Sequence, residues 1–568
     1  MAESSDIYLL GICCNIHESS AALVKNGLLV AAAEEERFTR TKHDNRFPAS
    51  AIDYCLREAG ISLRDVSHAG FYWQPWKGLL KRLWWLVRYF PASLQTFQGG
   101  KAWRGSSGTF LSHVAVPFKL WRMGFRGRFY FIDHHLSHAA SAFLVSPHES
   151  AAILTVDLCG EDCTTLLARG SGNKIAPMKR FYLPNSLGIF YAALTQFLGY
   201  EANSDEYKVM GLASYGQPRF ADTVATMVRF ENGRLRNDNS WFAFHTGSAL
   251  CYSQRFIEVF GAPCRGEGDV DVEPYRDVAA SGQRVLEDVL LDMANWARNE
   301  TGESDLCLAG GVALNAVANG RILEQQIFKH IWVQPAASDP GCALGIPFHI
   351  WHERLGNRRR FVMEHAYWGP EYSESVMHDA IRSHGLTCRR VDDVEREAAR
   401  LLSEGQVIGW YQGRMEWGPR ALGNRSILAD PRRADMKEII NRKIKFREPY
   451  RPFAPSVLEE DVEDYFHFGG SSPFMTFVCR VRDDRKEELP AVTHVDGTAR
   501  IQTVSRRHNP RFWTLINEFK SLTGVPVVLN TSFNVRGEPI VCSPDDAVRC
   551  FLKTDIDVLV LGNLICCR

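Results

Sequence analysis

The chain has 568 residues, too many for one hydrophobic core, so two or more domains are expected. Its 45% hydrophobic and 23% charged residues are ordinary for a globular protein. The 66 Lys plus Arg balance 66 Asp plus Glu, which disfavours a dedicated nucleic-acid or membrane binder.

In chain order the pattern is mixed α/β. The N-terminus, MAESSDIYLLGICC, lacks the basic start and long apolar run of a signal peptide. IYLLGICC reads as a buried strand. SAALVKNGLLVAAAEEE reads as two strands joined at Asn-Gly, the strongest short hairpin signal, and PASAIDYCLREAG as a helix.

FYWQPWKGLLKRLWWLVRYF is aromatic and basic. Lys81, Arg82 and Arg88 interrupt its apolar run, so it cannot span a bilayer. It is expected to be an amphipathic helix of the fold. Its apolar face is available for a subunit interface, a membrane surface or an acceptor pocket.

FRGRFYFID then reads as a strand feeding the helix HHLSHAASAF. AAILTVDLCGEDCTTLLARG resembles the opening strand–turn–strand unit, suggesting an internal duplication. Helix SLGIFYAALTQFLG, helix SGQRVLEDVLLDMANWARNETG, strand DLCLAGG, helix ALNAVANGRILEQQIF and strand HIWVQPAA follow. This alternation argues for α/β sheets. Near residue 360 the periodicity lapses, which places a domain boundary there and predicts domains 1–360 and 361–568. Fifteen scattered cysteines form no C-x-x-C pair, which disfavours a zinc ribbon or disulfide framework and favours a reducing cytosol.

Three constellations carry chemistry. His134 and His138, four apart, share one helix face and can grip one ion, whereas His135 is rotated away by about 100°. Asp157, at the end of AAILTVD, and Asp339, in ASDPGCALG, are candidate partners because strand ends converge on one crevice in α/β proteins. AGGVALN and SDPGCALG are glycine-bearing βα turns that suit a nucleotide cleft, while Walker A and G-x-G-x-x-G motifs are absent. GRMEWGPRALGNRS and NRKIKFREPYRPFAPS belong to a stretch, Gln412 to Arg451, with eleven Lys/Arg against five Asp/Glu, and LNTSFNVRGEPIV adds neutral hydrogen-bonding groups. Arginines in shaped loops suit phosphate oxygens.

Taken together, these segments, with HESSAAL, AAAEEERFTRTKH and SDEYKVMGLASYG, resemble the O-carbamoyltransferases of nodulation and antibiotic pathways along essentially the whole chain. The resemblance implies an N-terminal duplicated α/β domain of the actin/Hsp70/sugar-kinase superfold, similar to the threonylcarbamoyl-transferring protein of tRNA modification. It implies a C-terminal α+β domain similar to the protein that makes threonylcarbamoyl-adenylate. The second domain is then expected to make carbamoyl-adenylate from carbamoyl phosphate and ATP, with magnesium accompanying ATP. The first transfers the carbamoyl group to a hydroxyl.

Carried over residue by residue, His134, His138, Asp157 and Asp339 are the expected ligands of a divalent metal, iron(II) by family likeness. Lys208, Gly211, Gly310, Gly311 and Asn315 are the expected nucleotide cradle. Arg420, Arg425, Lys443, Arg447, Arg451, Asn530 and Ser532 are the expected activation site, with Lys208, Arg420 and Arg451 as catalytic groups. His17 is the candidate base near the acceptor hydroxyl. Two positions depart from the family pattern: Glu18 stands where Asp is frequent, and Leu158 where Gly usually follows the metal-binding Asp.

A sugar or acid kinase of the same superfold would leave the arginine-rich half unexplained. An RNA-modification scaffold is disfavoured by zero net charge, and a metalloprotease by the lack of H-E-x-x-H. The expected partner is a small hydroxyl-bearing acceptor, with no nucleic acid and no membrane span; a cytoplasmic location and a homodimer complete the expectations.

Overall fold

The computed structural model describes residues 6–567 except 89, 92–108, 245–249, 265 and 267–271. The chain forms two compact units. The first comprises residues 1–35 and 43–363, the second residues 36–42 and 364–568. Nothing in the composition marks 36–42 as part of the second unit, so the division departs there from two consecutive blocks.

The first unit opens with β1 (Tyr8–Cys13), β2 (Ser20–Lys25) and β3 (Leu28–Glu34), an antiparallel meander. The β2–β3 turn is the expected Asn-Gly, with both residues at positive φ. After α1 (Glu36–Thr39, in the second unit) and α2 (Ala49–Ala59) come β4 (Val66–Phe71), α3 (Leu79–Arg88), α4 (Thr109–Val114), α5 (Val116–Met123) and β5 (Arg128–Phe131). Strands β4 and β5 join parallel to β1, giving the order β3-β2-β1-β4-β5.

The second half repeats this plan. Following α6 (His134–Phe143), the strands β6 (Ser150–Gly160), β7 (Cys163–Ser171) and β8 (Lys174–Tyr182) form another antiparallel meander. Then come α7 (Leu187–Phe197), α8 (Glu206–Ala213), α9 (Ala221–Val224), the small hairpin β9 (Val228–Glu231) and β10 (Arg234–Asn237), α10 (Gln254–Phe260) and α11 (Tyr275–Thr301). Strand β11 (Asp305–Ala309), α12 (Ala316–Glu324), β12 (His330–Val333) and α13 (Asp339–His349) close the unit. Strands β11 and β12 join parallel to β6, so the order β8-β7-β6-β11-β12 copies the first sheet. The weak self-similarity of the sequence is therefore a true duplication of topology, the plan of the actin/Hsp70/sugar-kinase superfold.

Helix α13 packs on β1 and β2 and also on α6, tying the two halves together. Gly345 permits that approach: a Cβ there would lie 2.0 Å from the Ser137 carbonyl oxygen.

The second unit is built on an eight-stranded mixed sheet. Its central strands Ile408–Tyr411, Arg425–Ala429, Val527–Ser532 and Ala454–Leu458 are almost wholly buried. Helices Val394–Ser403 and Pro510–Thr523 pack against each other. Residues 36–42 attach by specific bonds. An Arg37 Nη donates to the Gly418 carbonyl at 2.9 Å, and Arg40 donates to the carbonyls of Ile540 at 2.7 Å and Pro539 at 2.8 Å. Phe38 packs on the buried Met415, Ile540 and Cys542.

Candidate functional site

The opening histidines of α6 stand at a helix start that Asp133 caps by accepting from the Leu136 N–H at 2.9 Å. Asp133 also pairs with Lys77 and Arg180, which hold its carboxyl below the ordinary carboxylate range despite burial. His135 faces away, as its spacing requires. Its ring nitrogens meet Thr155 Oγ1 at 2.7 Å and the Cys163 carbonyl at 3.1 Å, and burial lowers its pKa to about 3. Removing Asp133 strands two partly buried cations and one helix end. Asp133→Ala is expected to cost about 3 kcal/mol. Calorimetry then shows the first unit unfolding several degrees lower, with a smaller shift in Asp133→Asn, which keeps a cap oxygen.

His134 and His138 turn toward Asp157 and Asp339. Their Nε2 atoms lie 3.1 Å apart. From the Asp157 Oδ2 they are 3.7 and 3.0 Å, and each is 3.8 Å from the Asp339 Oδ1. All four donor atoms fall within 4.8 Å of one another. Asp157 is not at a strand end as expected: β6 continues past it through a bulge to Gly160. Gly160 makes room for the His134 ring, since a Cβ there would lie 2.1 Å from Cδ2. Asp339 is the first residue of α13, and its Oδ2 accepts from Tyr72 at 3.4 Å.

Asp157 is fixed by the backbone N–H groups of Leu158, at 2.6 Å, and Gly311, at 3.2 Å. The Leu158 backbone thus serves the carboxylate even without the family's glycine. Burial depresses His134, yet the hydrogen bond it donates to Asp157 and the charges of Asp339 and Asp157 outweigh it and raise it to about 9. Burial lifts Asp339 to about 7 against the pull of His134. Two buried imidazole nitrogens this close, ringed by two carboxylates, form a nitrogen–oxygen donor set that one divalent transition metal would satisfy.

His17 stands beside Glu18 (Nδ1 to Oε1, 3.9 Å), and packing lowers its pKa, leaving a neutral ring at pH 7. Glu18 is also 3.0 Å from His43 Nδ1, while His43 Nε2 meets Ser204 Oγ at 2.9 Å. His43 was not singled out in the sequence; its motif, TKHD, carries no spacing to a partner. Only the fold brings residues 17, 18, 43 and 204 together.

Of the expected cradle, Gly310 and Gly311 adjoin Asp157. Gly310 has φ +91°, and a Cβ there would meet the Val156 carbonyl oxygen at 2.2 Å. Asn315 caps α12 and bonds Gln283 of α11. Lys208, on α8 with Gly211, is buried, 3.1 Å from Asp205. Helices α8 and α12 both pack along α11.

In the second unit, Arg420, Arg447 and Arg451 share a field with Arg500, whose pKa is driven down by burial and by these three charges. Buried Lys445 is likewise lowered, by burial and then by Arg447, Arg451 and Lys42 among its neighbours. Its Nζ donates to Ser532 and Asn534, with the shortest contact 2.6 Å to Asn534 Oδ1. Lys443, of the expected activation site, is exposed, whereas Lys445 and Arg500, which carry no signal in the sequence, are held in this field.

Arg425 is buried. It donates to the carbonyls of Gln412, Asn424, Pro370 and Gly413 and covers the Tyr411 ring at 3.7 Å. Asn530 donates to Ala421, Ser456 and Gln502, and its buried Oδ1 has no partner.

Comparison with known proteins matches residues 8–347 to the carbamoyltransferase N-terminus profile and residues 399–568 to the carbamoyltransferase C-terminus profile. The nodulation protein NolNO of Sinorhizobium fredii is 42% identical over 97% of this chain and 79% of its own. NolO of Bradyrhizobium diazoefficiens is 45% identical over 76% of this chain and 78% of its own. A Synechocystis protein, sll1178, is 42% identical over 98% and 96%. Among solved structures, full-length HypF in its phosphate- and nucleotide-bound form covers 63% of this chain and 57% of its own, with 11% identity and a TM-score of 0.35. With both family domains matched in order over most of its length, the chain belongs to the carbamoyltransferase family of enzymes.

Proposed function

We propose that the protein is an ATP-dependent O-carbamoyltransferase acting in two steps. In the first, carbamoyl phosphate, water and ATP give carbamoyl-adenylate, phosphate and pyrophosphate. In the second, a hydroxyl of a small-molecule acceptor takes the carbamoyl group and AMP leaves. The observation that carries this reading is the pairing, in one chain, of a concentrated arginine–lysine field with a buried cluster of two histidines and two aspartates.

Five phosphate-bearing species, two substrates and three products, pass through the first step. Arg420, Arg447, Arg451 and Arg500 supply positive charge for them, and the mutual repulsion of these groups is relieved when anions bind. Ser532 and Asn534 hold the Lys445 ammonium against this field. Magnesium is expected with the ATP.

In the second step His17 takes the acceptor's hydroxyl proton; its lowered pKa keeps the ring neutral and able to accept. Glu18 and His43 orient the ring and meet the charge that develops on it. The helix start at Asn315 suits the adenylate phosphate. His134, His138, Asp157 and Asp339 would hold the divalent metal, iron(II) by family likeness, which supplies Lewis-acid polarisation of a phosphate or carbamoyl oxygen when bound. Fifteen free thiols fit a reducing cytosol.

The test uses ATP, carbamoyl phosphate labelled at its carbonyl carbon, and a panel of polyhydroxylated acceptors. AMP and pyrophosphate are expected only when carbamoyl phosphate is present, with label in one acceptor class. His17→Ala is expected to slow transfer about 10²- to 10⁴-fold while pyrophosphate release persists. ADP formed from ATP and an acceptor without carbamoyl phosphate would identify a kinase and overturn the proposal.

A further inference from the structure

The segment between Val66 and Ile132 is unlike the rest of the chain. Its 67 residues hold ten Lys/Arg, 17 aromatic residues and no Asp or Glu, in a protein of zero net charge. Of the 23 large apolar side chains exposed among the described residues, eleven fall between Trp76 and Met123. Nothing in the proposed chemistry uses them.

Helices α4 and α5 show why this is not an ordinary amphipathic surface. His113, Val116 and Leu120 turn inward, spaced as one helical face, and already cover the interior. Leu111, Val114, Phe118 and Trp121 form a second apolar stripe at helical spacing, and that stripe faces outward; Leu111 is 76% exposed. Phe118 and Trp121 stack at 5.8 Å, with the Arg126 guanidinium 5.0 Å from the Trp121 ring. On α3, Leu83, Trp84 and Val87 are likewise exposed, the last to 79%. Arg88, Arg122, Arg126 and Arg128 are exposed beside these residues.

We infer that this face of the first unit is a docking surface for an anionic lipid bilayer, on which α3, α4 and α5 lie in the interfacial plane. Aromatic and aliphatic side chains enter the headgroup–acyl boundary while arginines meet lipid phosphates, a combination that interfacial helices use. A second copy docked face to face would set the exposed Arg122, Arg126 and Arg128 against their own copies. A nucleic acid would satisfy the arginines but leave Leu83, Val87, Leu111 and Val114 in water. A bilayer accommodates both. The helices are too short and interrupted to cross it: among the described residues no helix is long and apolar enough. The inference stands independently of the two-step reaction.

The test is co-sedimentation of the full chain with vesicles of phosphatidylcholine alone or with about 30 mol % phosphatidylglycerol. The partition coefficient is expected to rise at least about tenfold with the anionic lipid and to fall as salt is added. Val87→Ser with Leu111→Ser, and separately Arg122→Glu with Arg126→Glu, are each expected to lower it about tenfold without changing the unfolding temperature. Equal background binding to both vesicle types overturns the inference. So does a dimer, found by light scattering, that Leu111→Ser converts to monomer, because a second copy then covers this face.

Discussion

Replacing His138 by alanine is expected to empty the metal site, from about one atom per chain to less than about a tenth, as measured by elemental analysis after loading with iron(II) or zinc under reducing conditions. His138 is the imidazole nearer Asp157, at 3.0 Å, and the nearby Cys342 thiol, kept protonated by burial, is a poorer donor than the imidazole it would replace. His134→Ala is expected to do the same. The control is His330→Ala. His330 lies 2.7 Å from Asp305, in a more exposed group with His148, so a residue of adventitious surface metal is removed there without touching the buried site. Metal content unchanged by both His134→Ala and His138→Ala would show that the four residues form only a hydrogen-bonded cluster. The expected loss does not depend on knowing the acceptor, since its readout is the ion itself.

The second large effect concerns the arginine field. Losing a charge-assisted hydrogen bond costs about 1.5–3 kcal/mol, a fall of about 10- to 150-fold in kcat/KM for carbamoyl-phosphate-dependent pyrophosphate release. Arg451→Ala is expected to reach at least that. Arg500→Met separates binding from stability. Arg500 is pressed by three like charges, and its buried Nε has no partner, so its replacement by an apolar chain of similar length relieves the ligand-free protein. The variant is expected to melt higher than the parent and yet lose pyrophosphate release. Asp157→Ala, in the other unit, is expected to leave pyrophosphate release intact and block product. A variant of Arg500 that melts lower, or that turns over normally, would remove this arginine from the phosphate site.

The spacing of HHLSHAASAF determined, without any coordinates, that His134 and His138 share a face and that His135 does not. This follows from helix geometry alone. Likewise the Asn-Gly turn fixed the first hairpin, and strand–helix alternation fixed the class of fold, because both depend on neighbours close in sequence. The arginine-rich loops stood out from composition as a basic region. Which of their members are buried did not: Lys443 and Lys445 are two residues apart in a wide helical turn, and only packing decides that the second is buried against Ser532 and Asn534. Arg425 reads like its neighbours in sequence, but its burial over Tyr411 converts it into a clamp for four carbonyls.

Tertiary structure alone also brought His43 to Glu18, sent residues 36–42 to the second unit, and carried Asp339 across more than 200 positions to the histidines. Each of these depends on which surfaces pack, and packing is a property of pairs of distant segments. The sequence by itself determined the family and the class of fold, and it offered the candidate donor atoms. The distances that let those atoms act as one site were decided by α13 lying against α6 and β1, an approach that small residues such as Gly345 permit because a side chain there would collide with backbone.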